Sequence, residues 1–195
     1  MNDFWLYFQI GFHHIADIRG IDHILFVLAL CVRYQFSDWR KLLVLVTAFT
    51  IGHSITLALS VFDLLNYSMQ WIEFLIPVTI VITAFSNVFV KKFVFKAKFP
   101  LIYFLALFFG LIHGLGFSNY LKSLLGKGES VIGQLLAFNL GLEAGQIVIV
   151  LIILLITLIF VNLFKVNRRE YLLFISAIAF ALALQMAFER LPIHI

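Results

Sequence analysis

Histidine and carboxylate side chains stand out in this sequence because they interrupt segments that are otherwise almost entirely apolar. An ionisable side chain inside lipid is costly, and it commonly faces a bundle interior or a polar cavity. Imidazole and carboxylate together suit divalent first-row metals, notably Ni²⁺, Co²⁺, Zn²⁺ and Fe²⁺. The one cysteine, Cys31, is not in this group, which argues against a site specialised for Cu⁺. The residue types therefore predict a site for a divalent metal ion.

The composition decides in which class of protein these side chains act. Of the 195 residues, 63% are hydrophobic and 12% are charged, whereas an ordinary soluble domain carries roughly 25% charged residues. So few charges cannot cover a globular surface, which excludes a soluble enzyme, a disordered segment and a disulfide-stapled secreted domain. The net charge of +4 resides in short basic clusters between apolar runs. This pattern is typical of the cytoplasmic loops of a membrane protein, whose spans lie in the lipid bilayer, and it does not indicate a nucleic-acid partner.

Six apolar runs predict an all-α, polytopic membrane helix bundle of six transmembrane helices, which forms a single transmembrane domain over residues 1–195. A span needs about 20 apolar residues, and lipid offers no partner to backbone groups outside a helix. The first run is short and needs the preceding segment 4–15 to reach span length. The fifth run is unusually long, so its polar first half could be kinked, lie flat or project beyond the bilayer. The runs cover residues 21–32, 42–62, 71–90, 101–117, 131–164 and 171–188.

The loop charges predict the orientation of the bundle. Lysine and arginine are retained on the cytoplasmic side of a membrane, so the first, third and fifth loops are expected to face inward. Both termini then lie on the extracytoplasmic side, and we expect the bacterial inner (plasma) membrane. The start of the chain has no signal-peptide pattern, so we expect no removable leader. The basic residues of these loops are Arg33, Arg40, Lys41, Lys91, Lys92, Lys96, Lys98, Lys165, Arg168 and Arg169.

On this topology, every histidine and glutamate within the spans falls in the outer half of the bilayer. Because successive spans run in opposite directions, scattered placement would not produce such clustering, and we expect one outer site. The polar residues, in span order, are His13, His14, Asp17, Asp22 and His23 in the first, His53 in the second, Glu73 in the third, His113 in the fourth, and Asn139, Glu143 and Gln146 in the fifth.

Helical spacing places some of these side chains on shared faces. On the fifth span, an i, i+4, i+7 pattern is formed by Asn139, Glu143 and Gln146. On the second span, hydroxyl residues repeat at i, i+3, i+7 with His53 beside them: Thr47, Thr50 and Ser54. A narrow polar face on an otherwise apolar helix is expected for the wall of a cavity.

The first span contains a geometric conflict. His14 and His23 are nine residues apart, so a continuous helix would place them on opposite faces. Both can serve one site only if the helix breaks between them. We expect the break at Arg19-Gly20, because glycine is conformationally permissive. The new helix then starts near Ile21 and carries Asp22 in its first turn.

Five motifs resemble, in order and over nearly the whole chain, those of the HupE/UreJ family of membrane proteins. They are GFHHI with GIDHILF (11–15 and 20–26), FTIGHSITL (49–57), the acid of the third span, FGLIHGLGF (109–117) and FNLGLEAGQ (138–146). The resemblance implies nickel or cobalt uptake, associated in the family with the supply of hydrogenase or urease. Carried over by position, it implies a metal site of His14, Asp22, His23, His53, Glu73, His113 and Glu143. Ser54, Asn139 and Gln146 are the polar residues expected to support it.

Three functions fit these observations. The favoured one is a permease for a divalent transition-metal ion, a transporter and not an enzyme, with nickel or cobalt as substrate and zinc or iron as chemically suitable alternatives. The second is a zinc-dependent intramembrane hydrolase, in which three histidines hold Zn²⁺, a carboxylate activates water, and Ser54 stands beside His53. The third is a non-transporting subunit of a membrane complex. Energy coupling, partner subunits and a homo-oligomer stay open, although the sequence has no nucleotide-binding loop.

Several residues also have simpler interpretations. Asp22 could cap its helix while orienting His23 through a hydrogen bond. His53 and His113 could be core imidazoles that are hydrogen-bonded to carbonyl groups. Residues that need no part in a metal site are His13 at the interface, His194 in the tail, and Asn139 and Gln146 as contacts between helices.

Overall fold

The computed structural model describes residues 3–18, 20–91, 93, 101–125 and 131–192, and this part of the chain is helical and contains no strand. The predicted all-α bundle is thus confirmed. Three short segments add to the α-helices: 3-10 turns at Phe36–Asp38 and Asn87–Phe89, and a π-helix at Leu158–Leu163. The α-helices are α1 (Asp3–Ala16), α2 (Ile21–Cys31), α3 (Trp39–Val61), α4 (Met69–Ser86), α5 (Leu101–Leu124), α6 (Val131–Thr157) and α7 (Arg168–Glu189).

Within the described residues, five helical segments are long and apolar enough to cross a membrane. The chain is therefore an integral membrane protein with a lipid-facing surface. The remaining apolar helix, α2, has 11 residues, which is about 16 Å at a rise of 1.5 Å per residue and too short for a core of about 30 Å. The five segments are Phe36–Val61, Met69–Phe89, Leu101–Leu124, Val131–Leu163 and Arg168–Glu189.

The first predicted span is broken at the expected place. Helix α1 ends at Ala16 and α2 begins at Ile21, with Asp22 in its first turn. Gly20 precedes α2 with φ of −99°, so the break does not use the left-handed conformation that favours glycine. Arg19, the other half of the predicted break, lies outside the described residues.

Helices α3 and α5 pack with their backbones in contact. A Cβ atom on Gly110 would overlap the carbonyl oxygen of Phe49, and one on Gly114 would overlap the carbonyl oxygen of His53. Small residues permit this close approach between helices in a membrane. Because the contacts advance together along both helices, α3 and α5 run parallel. This packing holds His53 and His113 on adjacent backbones.

Helices α1 and α6 meet in the same way. A Cβ atom on Gly141 would overlap the carbonyl oxygen of Phe8, and one on Gly145 would lie 3.0 Å from the carbonyl oxygen of Phe12. The order of these contacts shows that α1 runs parallel to α6. The glycines of the polar half of α6 therefore serve close packing against α1.

The long fifth run is a continuous α-helix through its polar first half. The segment Val131–Leu163 has 33 residues, which corresponds to about 50 Å and exceeds the hydrocarbon core of about 30 Å. It departs from α-helical geometry only at Leu158–Leu163. A segment of this length must tilt or project beyond the lipid, and projection is one of the three alternatives that the sequence left open.

One end of the bundle gathers basic side chains. The Arg33 guanidinium donates to Asn87 Oδ1 (Nε–Oδ1 2.9 Å) and to Ser86 Oγ (2.8 Å), and Arg168 donates to the Arg33 carbonyl oxygen (2.9 Å). The carboxyl ends of α2 and α4 thus meet the amino end of α7. We call this the basic end; that it faces the cytoplasm stays a prediction. Besides Arg19, four residues discussed above lie outside the described ranges: Lys92, Lys96, Lys98 and His194.

The opposite end joins the remaining helix termini. Lys122 of α5 pairs with Asp63, which follows α3 (Nζ–Oδ1 2.7 Å), and Arg190 after α7 pairs with Asp22 of α2 (Nη1–Oδ2 3.2 Å). We call this the histidine end. The loops of the bundle thus lie alternately at the basic end and at the histidine end, which agrees with the predicted topology.

Candidate metal centre

Four histidines from four helices converge near the histidine end. The ring centroids of His14 and His23 are 4.5 Å apart, those of His14 and His53 are 6.0 Å apart, and those of His23 and His113 are 5.2 Å apart. His53 and His113 are fully buried, His23 is nearly so, and His14 is half-buried. The break between α1 and α2 makes this possible, since His14 ends one helix and His23 begins the next. We call these residues the histidine cluster.

Three of the rings are spaced closely enough to share an ion. His14, His23 and His53 each place a ring nitrogen within 4.8 Å of the others. A zinc–imidazole bond is about 2.0–2.1 Å, so nitrogens on one ion lie roughly 3–4 Å apart. Small rotations of the rings would reach that distance. His113 adds a fourth imidazole on the far side of His23.

Five ring nitrogens of the cluster, at least one on each ring, are buried without a hydrogen bond to the described residues. Buried polar atoms are nearly always paired, and leaving one unpaired costs about 1–3 kcal/mol. Several such atoms in one place indicate that something other than protein completes their bonding. The unpaired atoms are His14 Nε2, His23 Nε2, His53 Nδ1, His53 Nε2 and His113 Nδ1.

Asp22 orients His23 and does not point at the centre of the cluster. Its Oδ1 lies 3.1 Å from His23 Nδ1, and its Oδ2 lies 3.2 Å from Arg190 Nη1. A carboxylate can only accept, so Nδ1 carries the hydrogen and the Nε2 lone pair is left free. A carboxylate–histidine pair of this kind fixes the tautomer of a metal-ligating ring. Asp22, expected as a ligand from the resemblance, is thus placed behind His23.

Thr79 of α4 fixes His113 in the same manner. The Thr79 hydroxyl donates to the Ile76 carbonyl oxygen (2.7 Å) and lies 3.0 Å from His113 Nε2. Because the hydroxyl hydrogen is already used, Nε2 must donate to the Thr79 oxygen. The lone pair of His113 then resides on Nδ1, the atom that is buried without a partner.

Helix α6 closes the cluster with an aromatic ring and an amide. The Phe138 ring stacks on His53, with centroids 6.2 Å apart and an interplanar angle of 20°. Asn139 lies beside His53; its Nδ2 donates to the Leu135 carbonyl oxygen (2.8 Å). Its Oδ1 is buried without a partner. Asn139 therefore offers an oxygen ligand to the cluster.

Glu143 and Gln146 lie further along α6, towards the basic end. Thr47 of α3 donates to Glu143 Oε1 (2.6 Å), and Thr50 donates to Gln146 Oε1 (2.7 Å). Their contacts are with the hydroxyl stripe of α3 and not with the imidazoles. Ser54 donates to the Thr50 carbonyl oxygen one turn back (2.7 Å). These three residues border the histidine cluster and do not complete it.

Glu73 is not brought into the buried cluster. Its side chain is exposed on α4, whereas Thr79, further along the same helix, reaches His113. His13 is also exposed, in contrast to its neighbour His14. Glu73, expected as a ligand from the resemblance, is therefore not among the buried side chains of the cluster.

A pocket between α1 and α5 reaches one residue of the cluster, His14. It is lined by residues of α1, of the segment that follows α1, and of α5, among them His13, His14, Asp17, Phe117 and Tyr120. The Phe117 ring lies across His14 with centroids 3.7 Å apart. The pocket thus reaches His14, the least buried imidazole of the cluster, beside the Phe117 ring.

Sequence reasoning missed Thr79, Phe117 and Arg190 as parts of this site. Thr79, Thr83 and Ser86 repeat at i, i+4, i+7, a polar stripe that could have indicated a face turned to the bundle interior. Phe117 is one of 23 phenylalanines, so nothing in its type distinguishes it. Arg190 follows the last span, where a basic residue is ordinarily assigned to solvent or lipid headgroups.

The fold and the buried cluster define a polytopic helical membrane protein with candidate metal ligands in its interior. Comparison with protein-family models matches residues 1–190 to the family described as HupE / UreJ protein. The chain belongs to the HupE/UreJ family. The comparisons with curated proteins and with solved structures gave no match.

Proposed function

We propose that this chain is a permease for a divalent transition-metal ion, with nickel or cobalt as the substrate and zinc or iron as chemically possible alternatives. The observation that supports this most directly is the set of buried imidazole nitrogens without hydrogen bonds, contributed by His14, His23, His53 and His113. The ion would be captured through the pocket at the histidine end and released at the basic end. Membership of the HupE/UreJ family agrees with metal transport.

The donor set suits an ion that must be bound and then released. Neutral imidazole favours Ni²⁺, Co²⁺ and Zn²⁺, and the Irving–Williams order ranks nickel above cobalt for such ligands. Thiolate, which would hold these ions more strongly, is absent because Cys31 is fully buried at the other end of α2. The Asn139 amide adds a weak oxygen ligand. Such a site can compete for the ion and still exchange it.

The arrangement of Ser54 and Asp22 weakens the hydrolase alternative. A serine nucleophile needs a base within hydrogen-bond reach, but the Ser54 hydroxyl donates to the Thr50 carbonyl oxygen. Asp22, which could activate water, is engaged by His23 and Arg190. No comparable observation favours a purely structural subunit, since imidazoles that only pack would be expected to have their nitrogens paired.

The proposal is tested by binding and transport with purified protein. Titration of Ni²⁺ or Co²⁺ should show a site that is lost in H23A, H53A and H113A, while H13A, an exposed neighbour of the cluster, binds as wild type. In proteoliposomes with an entrapped metal indicator, wild type should admit the ion and the three cluster variants should not. Binding that survives in all three variants would reject the site. Binding without uptake would reject the permease and favour a subunit of another assembly.

A further inference from the structure

A second polar group lies between α3 and α6, on the side of the histidine cluster that faces the basic end. It consists of two hydroxyl–acceptor pairs, Thr47 with Glu143 and Thr50 with Gln146. Thr50 and Thr47 precede His53 by three and six residues, which is about 4.5 and 9 Å along the helix axis. We call these four residues the inner polar site.

Glu143 has no cationic partner among the described residues. Its carboxylate accepts a hydrogen bond from the neutral Thr47 hydroxyl, and no ion pair of the described chain includes it. It is half-buried in α6, within the segment Val131–Leu163 that is long enough to span the bilayer. A carboxylate in a span is costly and ordinarily has a partner or lines a path for ions. A passing cation would supply the missing charge.

Gln146 has hydrogen-bonding capacity that the protein does not use. The residue is fully buried, its Oε1 accepts from Thr50, and its Nε2 has no hydrogen-bond partner within the described ranges. Rotating the amide by 180° would let Nε2 donate to the Thr50 hydroxyl oxygen and would free Oε1. Either orientation leaves one amide atom of this buried side chain available to a ligand.

We propose that the inner polar site is a second binding site for the transported divalent cation, occupied after the histidine cluster. The inference rests on the proposed permease function. It assigns these four residues to the step in which the ion leaves the histidine cluster towards the basic end. Oxygen ligands hold nickel and cobalt less strongly than imidazole does. An ion that moves from His53 to Glu143 therefore enters a weaker site from which it can leave towards the basic end. Glu143 acts as a ligand of the ion in transit and not as part of the histidine cluster.

The experiment separates binding at the cluster from passage through the inner polar site. E143Q keeps the size and the hydrogen-bond acceptor but removes the charge. Titration with Ni²⁺ should give an affinity at the histidine cluster within about twofold of wild type, and uptake into proteoliposomes should fall at least tenfold. E170Q is the matched control, because Glu170 is exposed at the basic end, and it should bind and transport as wild type does.

A second variant keeps the proposal testable if E143Q folds poorly. T47V is nearly isosteric and removes the hydroxyl that donates to Glu143, and it should slow uptake several-fold without changing cluster affinity. Normal uptake in folded E143Q, or in T47V if E143Q does not fold, would overturn the inner polar site. If E143Q loses binding at the histidine cluster as completely as H23A does, the inner polar site is also overturned, because Glu143 would then be a direct ligand in the cluster. Uptake that persists in H23A and H53A would instead reject the histidine cluster as the first site of the path, and absence of uptake by the wild type would reject the permease proposal.

Discussion

Arg190 and Asp22 form an ion pair across 168 residues of sequence, with Nη1 and Oδ2 3.2 Å apart. The other oxygen of Asp22 lies 3.1 Å from His23 Nδ1. One carboxylate thus ties the end of α7 to the start of α2 and also sets the tautomer of a ring in the histidine cluster. The broken first span is therefore held in place at the point where it presents its second imidazole.

Replacing Asp22 by asparagine should weaken metal binding without removing it. The amide keeps the shape of the side chain but loses the charge that pairs with Arg190 and the obligatory acceptor that keeps hydrogen on His23 Nδ1. Loss of such an orienting partner typically lowers metal affinity 10–100-fold. Calorimetric titration of D22N with Ni²⁺ measures this. D63N is the control, because Asp63 pairs with Lys122 at the exterior; equal affinities in the two variants would show that Asp22 does not orient His23.

Thr79 to valine should also reduce affinity, by about 10-fold, the lower limit of the effect expected when an orienting partner is lost. Valine matches threonine in shape but cannot accept the hydrogen of His113 Nε2, so the ring loses its fixed tautomer. T83V is a close control, since the Thr83 hydroxyl donates only to the Thr79 carbonyl oxygen (2.7 Å). Titration with Ni²⁺ should distinguish the two variants. If both bind as wild type does, the bond from His113 to Thr79 has no role in presenting Nδ1.

Gly110 to alanine should destabilise the bundle, whereas Gly116 to alanine on the same helix should cost much less. The new Cβ at Gly110 meets the backbone of Phe49, which cannot move without shifting α3, while at Gly116 it meets the end of the Ile76 side chain. Overpacking of this kind typically costs 1–3 kcal/mol. Thermal unfolding in detergent should show a lower midpoint for G110A than for G116A. Equal midpoints would indicate that α3 and α5 can separate freely.

The sequence predicted where polar residues lie along each span better than which way they face. The break at Gly20 could be inferred because His14 and His23 otherwise lie on opposite sides of one helix. Loop charges and span order placed His53 and His113 at a common depth, and the structure brings them together. A single acidic residue does not show which face of α4 turns to the bundle interior. Glu73 was therefore expected as a ligand, but it is exposed.

Contacts between side chains that are far apart in the sequence could not be predicted, because they depend on how the helices pack. The pairing of Asp22 with Arg190 depends on how α2 and α7 pack, and no local pattern encodes it. The polar residues Asn139, Glu143 and Gln146 were correctly placed on one face of α6. Their spacing did not show that the first lies beside His53 and the others beside the hydroxyl stripe of α3.

Removing the Phe117 ring should speed the access of metal to the histidine cluster. The ring lies over His14 (centroids 3.7 Å apart) and stacks on Phe138 (5.1 Å, interplanar angle 15°), between the outer pocket and the buried imidazoles. In F117A the association rate of Ni²⁺ should rise several-fold, because binding no longer waits for a lid to move. A stopped-flow competition with a metal indicator measures that rate, and F108A, at an exposed position of α5, should leave it unchanged. A rate in F117A equal to that of F108A would mean that ions reach His14 by a path that Phe117 does not cover.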